Sequence, residues 1–151
     1  MKAIAYNIQP YEKELLTLAN GKRHELTLIS NELNDKTVLF AQGKDVVIVA
    51  TAAVLKPAMM GMLTCAGVRK VIVRAAASLE QRALDEADRA GIQVVNTPVA
   101  MDSPAHIAEK TIEYLHQWES EKVASLSANT NEQEARSQAP GSGTPFKRPN
   151  Q

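Results

Sequence analysis

The sequence predicts an α/β domain built on a doubly wound parallel sheet, and three observations carry that expectation. Short apolar runs rich in β-branched residues alternate with helix-like stretches from residue 2 to about residue 122, the order expected of repeated βαβ units. One run, Asp45-Val46-Val47-Ile48-Val49-Ala50, is apolar without alternation, as in a central strand covered on both faces. Gly21, Gly67 and Gly91 each follow a helix-like stretch, where a left-handed cap belongs.

Lys2-Ala3-Ile4-Ala5-Tyr6 reads as the first strand. Pro10 suits the first turn of a helix with an apolar side at Leu15, Leu16, Leu18 and Ala19, stopped by Asn20-Gly21. Glu25-Leu26-Thr27-Leu28-Ile29 is the second strand, and a short helix over 36–42 leads into the third strand at 45–50. Pro57 opens a helix that Gly67 closes. Lys70-Val71-Ile72-Val73 is the fourth strand, 79–90 a helix ended by Gly91, and Ile92-Gln93-Val94-Val95 the fifth strand. Ser103-Pro104 pairs an N-cap with proline at the first helical position and starts a helix to about Lys122. These elements give a flavodoxin-like domain over 1–124, with a five-stranded parallel sheet in the order 2-1-3-4-5. From Ser125 the composition turns Ser-, Asn-, Gln- and Glu-rich, with Pro140, Pro145 and Pro149 and only Leu126 and Phe146 as large apolar residues. Such a segment buries too little surface to offset its ordering entropy, so 125–151 is expected to be a disordered tail.

The charge balance narrows the partners. Lys+Arg and Asp+Glu number 17 each, without the basic surplus of a nucleic-acid binder. The longest apolar run, 46–55, is about half the length that spans a bilayer. Met1-Lys2-Ala3-Ile4 enters a strand directly with no signal segment, and Cys65 alone makes no disulfide framework. A cytoplasmic protein is the expectation.

The local wording goes further than the fold. Met1-Lys2-Ala3-Ile4-Ala5-Tyr6, Glu12-Lys13-Glu14-Leu15-Leu16, His24-Glu25-Leu26-Thr27-Leu28-Ile29-Ser30-Asn31 and Leu33-Asn34 resemble the opening of bacterial D-lactate dehydrogenases, within the D-isomer-specific 2-hydroxyacid dehydrogenase family. Gly67-Val68-Arg69-Lys70, Gly91-Ile92-Gln93-Val94-Val95-Asn96-Thr97-Pro98 and Ser103-Pro104-Ala105-His106-Ile107-Ala108-Glu109 keep the same rhythm, so the resemblance covers roughly 1–118. It implies the substrate domain, one wall of an active-site cleft whose other wall is a nucleotide-binding domain. That second domain supplies the Gly-rich loop for NAD and the catalytic Arg, Glu and His. No Gly-x-Gly-x-x-Gly follows a strand in these 151 residues. Hydride transfer needs a nicotinamide held against the substrate carbon, so the chain alone is expected to bind no cofactor and to carry no catalytic residue.

The resemblance also implies a substrate-carboxylate turn after the fourth strand, with a glycine that lets backbone approach the ligand. Here the stretch is Arg74-Ala75-Ala76-Ala77-Ser78, with alanine where that glycine stands. Val99-Ala100-Met101-Asp102 holds no counterpart of the family's substrate-contacting tyrosine, and the loop after the third strand is Thr51-Ala52-Ala53-Val54. Three altered rim segments point to a retired site, with a rebuilt one as the alternative. Arg74, Ala75, Ala76, Ala77 and Ser78 are therefore candidate vestigial substrate-binding residues.

Other chemistries fit less well. Asn7 and Thr51 stand where a phosphoacceptor receiver domain needs acids, and Asn7-Ile8-Gln9-Pro10 lacks the hydroxyls and glycine of a flavin-phosphate loop. His106, Glu109, Glu113 and His116 share an arc of about 80° at helical spacing, but without a second ligand-bearing helix they read as the wet face of an amphipathic helix and not as a metal site. Cys65 has no His or Asp close in sequence and reads as a buried or half-buried structural thiol.

The helix over 55–66 stands apart, because it carries no charge after Lys56. With Met59, Met62, Leu63 and Ala66 toward the sheet, Met60, Gly61 and Thr64 face outward as a candidate partner surface; the alternative is a weakly polar face in solvent. These features favour a non-catalytic binding or self-association module. The alternatives are one half of a split NAD-dependent oxidoreductase completed by a separate nucleotide-binding chain, and a small-carboxylate sensor.

Overall fold

A computed structural model describes residues 1–74, 79–97 and 103–138, with side chains described as far as 125. Five short strands, β1 (Lys2–Ala5), β2 (Glu25–Leu28), β3 (Val46–Val49), β4 (Lys70–Val73) and β5 (Gln93–Asn96), form one parallel sheet in the order β2-β1-β3-β4-β5. Register is regular: Ala3 pairs with Val46, Val46 with Lys70 and Lys70 with Gln93. The helices are α1 (Pro10–Asn20), α2 (Pro57–Ala66), α3 (Gln81–Arg89) and α4 (Pro104–Gln138). A 3-10 segment at Thr37–Ala41 takes the place of a helix between β2 and β3, and a shorter one, Ala52–Val54, precedes α2.

The chain divides into two units, Met1–Leu115 and His116–Gln151. The sheet belongs to the first, and the described part of the second is the remainder of α4.

Right-handed crossovers place α1 on one face and the Thr37–Ala41 segment, α2 and α3 on the other. Every residue of β3 is buried, as its unbroken apolar pattern requires. Side chains alternate across the sheet. Ile4, Tyr6, Val47, Val49, Val71 and Val73 join one core cluster with residues of α2 and α3. Ala3, Ala5, Ile48 and Ile72 face the opposite layer, where Leu16 of α1 and Ala108, Ile112 and Leu115 of α4 are buried.

Caps follow the sequence signals. Gly21 and Gly67 both adopt positive φ at helix C-termini, a conformation in which a Cβ would be strained. The last helix differs from the expectation: α4 continues past Lys122 to Gln138. Residues 123–138 contain no glycine or proline and include Ala, Leu, Glu, Gln and Arg, so local helix propensity is adequate despite the low apolar content. The rest of the expected tail, 139–151, lies outside the described residues.

Candidate functional site

Open α/β sheets bind ligands beyond the carboxyl ends of their strands, and here that edge begins with Tyr6, Ala50 and Arg74. Tyr6 follows β1. Its side chain is buried, and its hydroxyl donates to the Thr37 carbonyl at 2.8 Å. Burial pushes the phenol from 10.0 up to about 12, so it is neutral at physiological pH. Asn7 turns the chain away with φ +56°, a conformation asparagine tolerates better than most residues. Thr51 accepts from the Ala53 N–H at 3.2 Å and opens the Ala52–Val54 turn.

Between the ends of β1 and β3 lies a small concavity of about 10 Å³ that includes Tyr6, Glu32, Val49, Thr51 and Val54 in its lining. Among the described residues its only charged lining residue is Glu32, the wrong sign for a carboxylate ligand.

A buried cation at this edge is Arg74, just past β4, where its N–H donates to the Val49 carbonyl at 2.8 Å; Lys13 lines a second concavity beyond the ends of β1 and β2. Its side chain is only 7% exposed and forms an ion pair between Nη1 and the Glu12 carboxylate of α1. Nη2 donates to the Tyr6 carbonyl at 3.2 Å. Glu12 is itself held, because its Oε1 accepts from the Gln9 N–H at 3.1 Å in the first turn of α1. Burial lowers the Arg74 pKa, and Glu12, by charge and hydrogen bond, acts against that. Arg74 therefore joins β1, α1 and β4, and its charge is compensated within the fold.

Two buried atoms lack a hydrogen-bond partner among the described residues, Arg74 Nε and Thr97 Oγ1. They stand one position beyond the paired residues Val73 and Asn96, on adjacent strands. Ala75, Ala76, Ala77 and Ser78 lie outside the described residues, as does 98–102. The expected carboxylate turn is thus described only through Arg74. The acid paired with Arg74 is Glu12, while Asp102 lies outside the described residues. The available signal was a carboxylate in the first turn of α1, but helix starts favour acids for their own reasons, so it did not single out Arg74.

The candidate partner surface on α2 needs correction. Met60 is buried at 2% exposure together with Met59 and Leu63, while Met62 is 36% exposed and Cys65 is exposed. Thr64 is half-buried, and its hydroxyl donates to the carbonyls of Met60 at 2.9 Å and Ala90 at 3.0 Å. Of the three residues, only Gly61 faces fully outward. Residues 57–66 carry no charge, so the pattern did not fix which side turns to the sheet, and the helix is rotated by about one position from the expectation.

Among the described residues, no three His, Cys, Asp or Glu side chains gather as metal ligands, and no helix is long and apolar enough to cross a membrane.

The comparisons with known proteins agree with this geometry. A family model described as D-isomer specific 2-hydroxyacid dehydrogenase, catalytic domain, matches residues 2–139. The apo-structure of D-lactate dehydrogenase from Escherichia coli is 26% identical with a TM-score of 0.59, over 66% of this chain and 31% of its own. Salmonella D-lactate dehydrogenase is 28% identical with a TM-score of 0.58, over 66% of this chain and 30% of its own. The D-lactate dehydrogenase with NAD+ from Lactobacillus jensenii, at 22% identity and a TM-score of 0.56, covers 87% of this chain and 39% of its own, and bears on the fold alone. No curated protein matches the sequence significantly.

Proposed function

The chain belongs to the D-isomer specific 2-hydroxyacid dehydrogenase family, and from that premise we propose that these 151 residues act as a non-catalytic relative of its substrate domain, a binding or self-association module of the cytoplasm. The observation that carries this reading is the state of Arg74. A guanidinium that recognises a substrate carboxylate must offer its N–H groups outward. Here Nη1 is held by Glu12 and Nη2 by the Tyr6 carbonyl. That arrangement serves the fold and weakens the small-carboxylate sensor as an alternative. The sequence adds the missing Gly-x-Gly-x-x-Gly, without which a pyrophosphate has no backbone cradle at a helix start.

A second reading is that the chain supplies one half of an NAD-dependent 2-hydroxyacid oxidoreductase completed by a nucleotide-binding part. Its support is that the chain spans 31% and 30% of the two D-lactate dehydrogenases above.

On the leading reading, the 151-residue chain neither reduces pyruvate nor oxidises D-lactate, and NADH fluorescence is unchanged on adding it. Saturable NADH binding at micromolar concentration contradicts that reading.

A further inference from the structure

We propose that the concavity beyond the carboxyl ends of β1 and β2 is a binding site for an organic acid that carries one carboxylate on an apolar body. The proposal rests on the reading of the chain as a binding module and gives that reading a ligand class. The site lies on the other side of β1 from β3 and β4, so it is separate from the strand end that holds Arg74.

Its floor is the chain that follows the two strands. The Asn7 N–H donates to the Asn31 carbonyl at 2.7 Å, and the Ile8 N–H to the Ile29 carbonyl at 2.9 Å. The Ile29 N–H donates in turn to the Ala5 carbonyl at 3.0 Å, so pairing continues past the ends of both strands. A floor held by backbone hydrogen bonds is formed before a ligand arrives, which lowers the ordering cost of binding. The concavity measures about 470 Å³, a size that small-molecule sites share.

The lining divides by chemistry. Ile8, Pro10 and Ile29 supply apolar surface, while Lys13, Ser30 and Asn31 supply polar groups. Among the described residues Lys13 is the only charged one in the lining. No other described residue engages the side chains of Lys13, Ser30 or Asn31 in a hydrogen bond or ion pair. An ammonium, a hydroxyl and an amide NH2 can all donate, and together they suit the two oxygens of one carboxylate. The neighbouring acid does not compete, because the Glu12 carboxylate is taken up by Arg74 and by the Gln9 N–H. The same contact argues against a phosphate. Phosphates at a helix start rely on several free backbone N–H groups, whereas here the Gln9 N–H is occupied and Pro10 has none. One cation beside an apolar wall therefore selects a monoanion with a hydrocarbon body.

An NMR titration of the 151-residue chain with phenylacetate tests this. The backbone amides of residues 8 and 29–31 should shift saturably, with a dissociation constant of about 1–10 mM, while the side-chain Nε–H of Arg74 stays in place. Phenylacetamide, which has the same shape without the charge, should bind about two- to fivefold more weakly, the range for one exposed ion pair. Lys13→Gln should remove that difference and leave the affinity for phenylacetamide unchanged, a result that loss of folding cannot imitate. Absence of a saturable shift at residues 8 and 29–31 up to about 50 mM phenylacetate overturns the proposal. So does equal affinity of the parent for acid and amide, or a preference for the acid that survives Lys13→Gln. Inorganic phosphate binding as tightly as phenylacetate also overturns it, since the apolar wall would then select nothing. The NADH titration is independent of these outcomes, so failure of this site and failure of the non-catalytic reading are told apart.

Discussion

Glu12→Ala should destabilise the fold by about 3–5 kcal/mol, the range for removing one partner of a buried ion pair. The loss is large because of what remains. Arg74, 7% exposed at its side chain, keeps the Tyr6 carbonyl as a partner but has no compensating charge. The same substitution frees the Gln9 N–H at the start of α1, which Glu12 accepts at 3.1 Å. Glu12→Gln should lose less, since its one amide oxygen can still accept from Arg74 Nη1 or from the Gln9 N–H, although its NH2 then faces the other donor. The double variant Glu12→Leu with Arg74→Met should recover most of the loss, because removing both charges leaves none buried and unpaired. Urea denaturation of the parent, Glu12→Leu, Arg74→Met and the double variant closes the cycle, with Glu12→Ala and Glu12→Gln measured beside them. An unchanged midpoint for Glu12→Ala would mean that water, and not Glu12, satisfies Arg74.

Met60→Glu should abolish folding or cost more than about 3 kcal/mol, because it forces a carboxyl into the core. Met60 is 2% exposed and belongs to the cluster that includes Leu63, Val71 and Val73. Met62→Glu, two positions on, should change stability by less than about 0.5 kcal/mol, as surface substitutions usually do. The contrast tests the rotation of α2 directly. If instead Met60→Glu folds normally and Met62→Glu does not, the orientation first expected from the sequence is restored.

What the sequence made legible follows from the range of each interaction. Strand positions came from local pattern: β3 is unbroken Val-Val-Ile-Val, and all four residues are buried. Strand order came with the doubly wound pattern of alternating elements, and the ends of α1 and α2 from Gly21 and Gly67. The phase of α2 was not legible, because a helix without charged residues gives no polar stripe to orient it. The end of α4 was not legible, because low apolar content and adequate helix propensity point opposite ways over 123–138. The pairing of Arg74 with Glu12 bridges residues far apart in sequence. Both residue types were in plain view, but only the sheet order, which brings the end of β4 to within one strand of β1 across β3, lets Arg74 reach Glu12.

That pairing also decides what the strand ends can do, since it occupies the cation a 2-hydroxy acid would need. The most direct measurement is an NMR titration of the 151-residue chain with pyruvate or D-lactate at high millimolar concentration, following the side-chain Nε–H of Arg74 and the backbone amides of residues 75–78. The account predicts that neither moves. A saturable shift at Arg74 together with those amides would contradict it and show that a carboxylate displaces Glu12.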